Sequence, residues 1–342
     1  MATVSVAILG LGRIGASAAL ALKRYNEGKD AQHTFEVTAA DLRAGVRDDA
    51  QKIGLPKVER NLFDAARGRD IVVLALPYAD VPAAYKSLAG EFRPGAVVLD
   101  TSPLKQPSLA WAKEHLPSEV HMVGMTPVLN PKYLFDGLDD TAHAQPDLFD
   151  KGAMLLTPSV SAVRDAVELA SDFSTILGAT PFFVDPAEHD SLMALTEGLP
   201  ELLGVAAFYM ASRRDGWNDA QRLTNPAFGR LTRALFDTHP DDLRDGWLNN
   251  RENLLRHLDA LLENLRLFRG ILAQNDRDAL TGALFEASEA YSAWVNRRHK
   301  ARWDEESSQE KPPSMGISMM TSLMGGFLTR RLQGRDNGEE KT

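Results

Sequence analysis

A glycine-rich turn between an apolar run and a helix-like stretch most constrains the fold of this chain. Residues 4–9 read as a buried strand, and residues 16–23 read as a helix. The Gly-x-Gly-x-x-Gly pattern lies between them. Its first glycine permits a tight turn, its second lets a pyrophosphate approach the backbone, and its third lets helix and strand pack closely. The sequence predicts that Gly10, Gly12, Arg13, Ile14 and Gly15 form a dinucleotide-binding turn. The alternative is a plain glycine-rich turn between a strand and a helix.

A carboxylate ends the second predicted strand, residues 35–41. Asp41 follows Gly15 by about 26 residues, against a usual spacing of about 20, and the polar insert at 26–33 accounts for the excess. An acid at this position accepts hydrogen bonds from the adenosine ribose and repels a 2′-phosphate, so it favours NAD over NADP. Arg43 would weaken that preference. The alternative is a surface aspartate that starts a turn.

The bulk properties exclude several classes of protein. A chain of 342 residues usually carries two domains, and a net charge of −9 argues against a nucleic-acid partner, which needs a basic face. The absence of cysteine excludes disulfides and thiol chemistry and fits a reducing cytoplasm. We find no signal-like leader and no apolar run near the roughly 20 residues of a membrane span. We therefore expect a cytoplasmic protein without a metal site.

Apolar strand candidates separated by helical stretches fill the first half of the chain. They occupy residues 4–9, 35–41, 70–77, 96–100, 121–125, 153–157 and 181–184. Strands that are apolar on both faces and separated by helices are typical of an α/β fold with a doubly wound, mostly parallel sheet. Ligands bind at the carboxyl ends of such strands. We therefore predict a Rossmann-type domain over residues 1–186, with further cofactor contacts from Leu76, Pro77 and Thr101.

Helical periodicity replaces the strand pattern after about residue 186. An apolar stripe recurs at intervals of three and four, at Leu254, Leu258, Leu261, Leu265, Phe268 and Leu272. This pattern predicts an all-helical domain over 187–301 that forms a homodimer, with the core of a monomer as the alternative. Residues 302–342 read as a charged linker and a Met- and Gly-rich tail, either weakly ordered or docked on an apolar surface.

Five segments between residue 4 and about residue 271 make the chain resemble the prephenate/arogenate dehydrogenase family. In the first half, residues 100–105 (DTSPLK) resemble the family segment that ends in Ser-Val-Lys, and residues 123–127 (VGMTP) resemble its Gly-Gly-His-Pro segment. In the second half, residues 186–190 (PAEHD) resemble its Pro-Glu-x-His-Asp segment, and residues 199–201 (LPE) resemble its His-Leu-Pro-His segment. Residues 228–233 (FGRLTR) resemble the stretch whose arginine binds the substrate carboxylate. The resemblance implies a Rossmann domain and a helical dimerisation domain. It also implies NAD(P)-dependent hydride transfer from prephenate or arogenate, with oxidative decarboxylation, in tyrosine biosynthesis.

The departures from the family pattern fall on its chemistry. The family histidine that assists loss of the proton from the substrate's 4-hydroxyl falls on Thr126. A threonine hydroxyl can form hydrogen bonds but cannot act as a base near neutral pH. The family serine falls on Pro103, with Ser102 one step away, and the two histidines of His-Leu-Pro-His fall on Gly198 and Glu201. We therefore expect a changed substrate or a changed route for the proton.

Several side chains are candidates to replace the lost groups. Glu197 and Glu201 lie one helical turn apart, and a partly buried carboxylate gains pKa and can serve as a base; a solvated helix face is the alternative. His189 matches a family position but would also fit a helix cap. Lys105 would contact substrate or cofactor, or lie exposed after a strand. The candidate catalytic residues are thus Thr126, Glu201, His189, Ser102 and Lys105.

The candidate substrate-binding residues are Arg233, Glu197 and Asn130. Arg233 is the expected anion anchor, because a guanidinium binds a carboxylate through two hydrogen bonds, and Arg230 is its exposed control. Asn130 supplies an amide near the nicotinamide, or belongs to an ordinary Asn-Pro turn. Two other functions remain open. One is a family member with a different substrate, such as a modified amino acid or a 3-hydroxy acid. The other is an NAD-binding regulatory protein without turnover.

Overall fold

An eight-stranded sheet forms the first part of the computed structural model, which describes residues 2–300 except 30, 56, 57 and 137. Its strand order is β3-β2-β1-β4-β5-β6-β7-β8, and β7 pairs antiparallel with β6 while all other neighbours are parallel. The strands are β1 Ala2–Leu9, β2 His33–Ala40, β3 Val58–Glu59, β4 Ile71–Leu74, β5 Val97–Asp100, β6 His121–Val128, β7 Ala153–Pro158 and β8 Thr180–Phe183. The predicted mostly parallel sheet is confirmed. The edge strand β3 was not predicted, because two residues carry no periodicity.

Both faces of the sheet are covered, so its central strands are apolar throughout. In β1, Val6 and Ile8 belong to the core on one face, whereas Ala7 and Leu9 belong to the core on the other. This alternation follows from the period of two along a strand. The flanking helices are α1 Arg13–Asn26, α2 Ala44–Lys52, α3 Leu62–Ala66, α4 Val81–Leu88, α5 Lys105–His115 and α6 Arg164–Leu177.

Helices make up the described chain from Pro186 onward. They are α7 Pro186–Met193, α8 Leu199–Ser212, α9 Trp217–Ala220, α10 Pro226–Leu231, α11 Ala234–Asp237, α12 Pro240–Asn249, α13 Arg251–Ala273 and α14 Arg277–His299. A wide turn of π-helix, Ala194–Gly198, joins α7 to α8. Helix α7 packs on α5, and α12 packs on the short turn Tyr78–Asp80 that follows β4. The helical part therefore closes over the carboxyl ends of the strands.

One helical run has the length and average hydropathy of a membrane span, which the sequence was not expected to contain. It covers Pro186–Ser212, and it is the only such run among the described residues. Length and composition alone are weak evidence for a span. This run also carries two glutamates that face a cleft, described below.

The apolar stripe of α13 is only partly buried in a single chain. Leu254 is buried, Leu258, Leu261 and Phe268 are half-buried, and Leu265 and Leu272 are exposed, as are the neighbouring Leu255 and Leu262. One chain therefore leaves part of this stripe uncovered, because α13 packs on α7, the π-turn, α8, α12 and α14 along only part of its surface. The predicted tail at 302–342 lies outside the described residues.

Candidate active site

A cleft of about 690 Å³ lies between the sheet and the helical part. The ends of β1, β4 and β5 supply one wall, and the π-turn, α8, α12 and the residues before α12 supply the other. This position agrees with the rule that ligands bind beyond the carboxyl ends of parallel strands. The predicted site residues that line the cleft are Gly12, Arg13, Ile14, Gly15, Leu76, Pro77, Thr101, Glu197 and Glu201.

The three glycines of the turn have the separate geometries that a dinucleotide site requires. Gly10 has a φ of +95°, and a Cβ there would lie 2.1 Å from the Ala75 carbonyl oxygen. A Cβ on Gly15 would lie 2.0 Å from the Gly10 carbonyl oxygen. A Cβ on Gly12 would meet nothing within 4 Å, because this residue faces the open cleft. Gly10 thus allows the turn to pack closely against the backbone after β4, while Gly12 leaves room for a pyrophosphate.

The start of α1 suits a phosphate. No side chain caps the helix at Gly12, and its first turn carries no acidic residue. Its free N–H groups and positive dipole end therefore remain for an anion. These residues fit NAD, which would lie with its pyrophosphate at Gly12 and supply a hydride acceptor when bound.

Arg13 lines the cleft but is already engaged. Its guanidinium makes two hydrogen bonds to Asp136, at 2.9 and 2.8 Å, and stacks 5.0 Å from the Tyr133 ring centroid. It also donates to the Leu138 carbonyl. Only its buried Nε lacks a partner among the described residues. Arg13 therefore holds the segment after β6 against the glycine turn.

Asp41 lies beneath the cleft surface and is covered by Arg43. Its carboxylate accepts hydrogen bonds from the Leu11 N–H at 2.9 Å and from the Arg43 backbone and guanidinium. Burial opposes its ionisation, but the bonds to Arg43 and Leu11 prevail and lower the pKa of Asp41. Arg43, not Asp41, lines the cleft. A ribose must therefore displace Arg43 to reach the carboxylate, and the preference for NAD over NADP stays a prediction.

Lys105 lies away from the cleft, contrary to both readings of the sequence. Its side chain is 0% exposed, and its ammonium donates to the Asp100 and Ser102 carbonyls at 2.9 and 2.6 Å. Burial lowers its pKa to about 8. Gly124 leaves it room, since a Cβ there would lie 2.7 Å from the lysine Cδ. Lys105 therefore supports the β5–α5 connection from inside, and neither it nor Ser102 lines the cleft.

Thr126, His189 and Asp190 form a buried chain of hydrogen bonds. The Thr126 Oγ1 lies 2.9 Å from the His189 Nε2, and the His189 Nδ1 lies 2.9 Å from the Asp190 Oδ1. Asp190 also accepts the Lys105 and Gln106 backbone N–H groups, at 2.7 and 2.9 Å, and thereby caps α5. The sequence predicted Thr126 and His189 separately. It gave no sign that they touch, because 63 residues separate them.

The cleft wall opposite the glycine turn is acidic. Burial, followed by the charge of Glu197, raises the pKa of Glu201 to about 7, and the Trp247 side chain opposes that shift. Burial and the Asp139 charge raise the pKa of Glu197, and burial and Asp237 raise that of Asp139. The prediction that a partly buried glutamate gains pKa in the cleft agrees with these shifts. Asp139 and Asp237 were missed, since nothing local marks them.

Comparison with known proteins gives two consecutive matches. Residues 18–181 match the model described as "Prephenate dehydrogenase, nucleotide-binding domain", and residues 185–286 match "Prephenate dehydrogenase, dimerization domain". The chain belongs to the prephenate dehydrogenase family. It is therefore an NAD-dependent oxidoreductase, with the Rossmann-type fold and helical part that the sequence predicted.

Relatives of the prephenate dehydrogenase family cover most of the chain. A cyclohexadienyl dehydrogenase of Zymomonas mobilis is 26% identical over 83% of this chain and 94% of its own. A prephenate dehydrogenase of Bacillus subtilis is 25% identical over 81% and 72%. The crystal structure of prephenate dehydrogenase from A. aeolicus, in complex with hydroxyphenyl propionate and NAD+, has a TM-score of 0.70 at 18% identity, covering 86% of this chain and 99% of its own. At that identity the structure shows a shared fold.

Neither Arg233, which the family resemblance implied would bind the substrate carboxylate, nor Asn130, expected to supply an amide near the nicotinamide, lines the cleft. The Arg233 guanidinium contacts Asp237 at 2.5 and 3.1 Å, so an acid rather than a free cation faces the cleft there. Arg230 is exposed, as expected for a control. Asn130 uses its amide within its own loop, donating to the Asp147 carbonyl and accepting from the Lys132 N–H. Asn130 is thus a turn residue.

Proposed function

We propose that this protein oxidises arogenate with NAD, in preference to prephenate, in the biosynthesis of tyrosine in the cytoplasm. The family supports the reaction class, and the charge of the cleft supports the choice of substrate. Arogenate is the amino-acid counterpart of prephenate and carries an ammonium group where prephenate carries a ketone. The single observation that carries this choice is the acidic wall opposite the cofactor turn.

Five carboxyl groups lie along the helical wall of the cleft, on Glu197, Glu201, Asp237, Asp241 and Asp242, and Asp139 adds a sixth from the loop between β6 and β7. Desolvation in the cleft and repulsion between neighbouring carboxylates raise the pKa values of Asp139, Glu197 and Glu201, so their charged forms are disfavoured. A bound ammonium group would relieve this repulsion, whereas a substrate that carries only carboxylates would add to it.

The arginines that line the cleft do not offset this charge. Arg13 is bonded to Asp136 and Arg43 to Asp41, so each is already neutralised by an acid. By the same reasoning Asp237 is neutralised by Arg233 and Asp241 by Arg244. The negative charge left to a substrate is therefore mainly that of Asp139, Glu197 and Glu201, which favours the zwitterionic side chain of arogenate over the keto acid.

The test is the steady-state formation of NADH from each substrate. We expect kcat/KM to be at least about tenfold higher for arogenate, equivalent to about 1.4 kcal/mol. Glu197→Gln should shrink this ratio because it removes a cleft charge, whereas Glu188→Gln, which changes an exposed glutamate outside the cleft, should preserve it. A preference for prephenate would contradict the assignment of arogenate. The absence of turnover with either would favour the NAD-binding regulator.

We further propose that the protein is a homodimer through its helical part. The matched dimerization domain covers α13, and five leucines of that helix, Leu255, Leu262, Leu265, Leu267 and Leu272, remain exposed in one chain. An apolar face of this kind marks an interaction surface, and a second copy would cover it.

Light scattering at micromolar concentration should give twice the 37.5 kDa mass of one chain. Leu265→Asp should shift the protein toward the monomer, because a carboxylate is costly to bury in an apolar interface. Asn264→Asp, which changes the exposed neighbour, should leave the mass unchanged. A monomeric parent protein would contradict the dimer.

A further inference from the structure

We propose that Thr126, His189 and Asp190 form a proton relay, in which the Thr126 hydroxyl receives the proton of the substrate hydroxyl and passes its own proton to His189. The relay rests on the proposed oxidation of arogenate or prephenate. It resolves the conflict at residue 126, where a threonine stands in the position of the family's histidine. The hydroxyl of Thr126 and the imidazole of His189 would together accept the proton that the family's single histidine accepts.

The direction of each hydrogen bond follows from the carboxylate end of the chain. The Asp190 Oδ1 already accepts the Lys105 N–H, and an ionised carboxylate has no proton to donate. The His189 Nδ1 must therefore carry the proton of the Nδ1–Oδ1 contact, at 2.9 Å. In a neutral imidazole the Nε2 is then an acceptor, so the Thr126 hydroxyl donates to it at 2.9 Å.

The neutral imidazole is the form that this environment favours. His189 is 0% exposed, and burial is the largest cause that lowers its pKa. The ammonium of Lys105, on the packed helix α5, acts in the same direction, while the Asp190 carboxylate opposes it. A transient imidazolium would nevertheless be stabilised by its direct bond to Asp190. His189 can therefore accept a proton without being charged at rest.

Burial decides which member of the chain meets the substrate. His189 has no exposed surface, whereas Thr126 retains 7%. Thr126 lies on β6 two residues beyond Gly124, which pairs with Asp100, the last residue of β5. It therefore stands at the carboxyl edge of the sheet. Thr126 does not itself line the cleft, and the lining residue on the neighbouring β5 chain is Thr101. The hydroxyl proton of Thr126 is committed to His189, so its oxygen is left as an acceptor toward a substrate.

The relay balances with NAD as the hydride acceptor and no other reactant. The substrate O–H bond breaks, and its proton moves to the Thr126 oxygen as the Thr126 proton moves to the His189 Nε2. The electron pair of the substrate O–H bond forms a carbonyl, and the pair of the adjacent C–H bond leaves as hydride to NAD. When the ring carboxylate departs as CO₂, the electrons of its C–C bond complete the aromatic ring. The carbonyl oxygen then recovers the proton through the same chain, as a phenol.

The decisive comparison uses three threonine variants. Thr126→Val keeps the shape and removes the hydroxyl, and Thr126→Ser keeps the hydroxyl. Thr157→Val is the matched control, because Thr157 is a buried threonine on the neighbouring strand β7 and its hydroxyl has no partner among the described residues. Each variant is assayed with whichever of arogenate and prephenate the parent protein oxidises.

We expect Thr126→Val to lower kcat by about 10²–10⁴-fold, the usual contribution of general-base help, with a small change in KM. Thr126→Ser should retain kcat within about tenfold, and Thr157→Val should match the parent. The solvent isotope effect on the parent's kcat should depend non-linearly on the D₂O fraction, because two protons move together. The proton transfer would be assigned elsewhere if Thr126→Val kept its kcat, or if Glu201→Gln alone abolished it.

A second measurement does not depend on activity. Nitrogen-15 NMR of the cofactor-free protein should show His189 protonated at Nδ1 and unprotonated at Nε2, with an Nε2 resonance that shifts in Thr126→Val and not in Thr157→Val. A proton on Nε2 would overturn the relay even if the enzyme is active. A parent protein that oxidises neither substrate would overturn the proposed function and, with it, the relay; an active parent with an unaffected Thr126→Val would overturn the relay alone.

Discussion

Gly10→Ala is expected to lower the free energy of unfolding by about 3–5 kcal/mol, through backbone strain and overpacking combined. The residue has a φ of +95°, which L side chains rarely adopt, and its new Cβ would lie 2.1 Å from a backbone oxygen of Ala75. Neither the strand β1 nor the connection after β4 can move away cheaply, because both lie in the buried centre of the sheet. Urea denaturation followed by circular dichroism measures the loss.

Gly12→Ala is the matched control, and it separates stability from binding. A Cβ at Gly12 meets no protein atom within 4 Å, and its φ of −61° suits alanine. The variant should therefore unfold within about 0.5 kcal/mol of the parent protein, yet bind NAD at least about tenfold more weakly, because the Cβ enters the space of the pyrophosphate. Equal NAD affinity in Gly12→Ala would show that the cofactor does not approach this turn.

Glu201→Gln is expected to stabilise the protein at pH 8 and to leave its stability at pH 5 almost unchanged. In the folded protein the pKa of Glu201 is about 7, raised from 4.5 by burial and by Glu197. A raised carboxyl pKa means that the folded state retains its proton longer than the unfolded state. The stability is therefore complete below about pH 4.5 and is lost as the pH rises through 7. Glutamine abolishes this loss.

The size of the effect at pH 8 should be about 1–2 kcal/mol, less than the full shift implies, because the half-buried side chain remains partly screened by water. Urea unfolding of parent and variant across pH 5–8 measures it, with Glu36→Gln, at an exposed position of β2, as the control. A difference between parent and Glu201→Gln that stays constant with pH would show that Glu201 titrates normally in the cleft.

The parts of the molecule that the sequence predicted correctly are those encoded by short-range patterns. The strands of the sheet are apolar because both faces are covered, so periodicity alone identifies them. The different duties of Gly10, Gly12 and Gly15 follow from their spacing between one strand and one helix. The same kind of local rule placed Glu197 and Glu201 on a shared helix face, and both line the cleft, although Glu197 lies in the π-turn and Glu201 in α8.

The parts that the sequence did not predict depend on partners that are distant along the chain. A lysine after a strand is usually exposed, so nothing in the sequence indicated that Lys105 would be buried. Its burial follows from the packing of α7 against α5 and from the small size of Gly124. Arg233 was expected to bind substrate, but its guanidinium instead donates a hydrogen bond to the carboxylate of Asp237, four residues later. Thr126 was judged as an isolated hydroxyl, since its contact with His189 exists only after the helical part folds onto the sheet.

The cap that Asp190 places on α5 has a consequence for the modularity of this chain. The start of α5 belongs to the nucleotide-binding half, but the carboxylate that satisfies its first N–H groups arrives from the half that follows, 85 residues later. Neither half can therefore be exchanged for that of a relative without affecting this contact. A chimera of two relatives joined near residue 184 would take α5 from one parent and residue 190 from the other. Unless the two parents match at this contact, α5 would lose its cap or the acid would lose its partners. A junction at the domain boundary, where a sequence alignment would suggest it, should therefore be poorly tolerated.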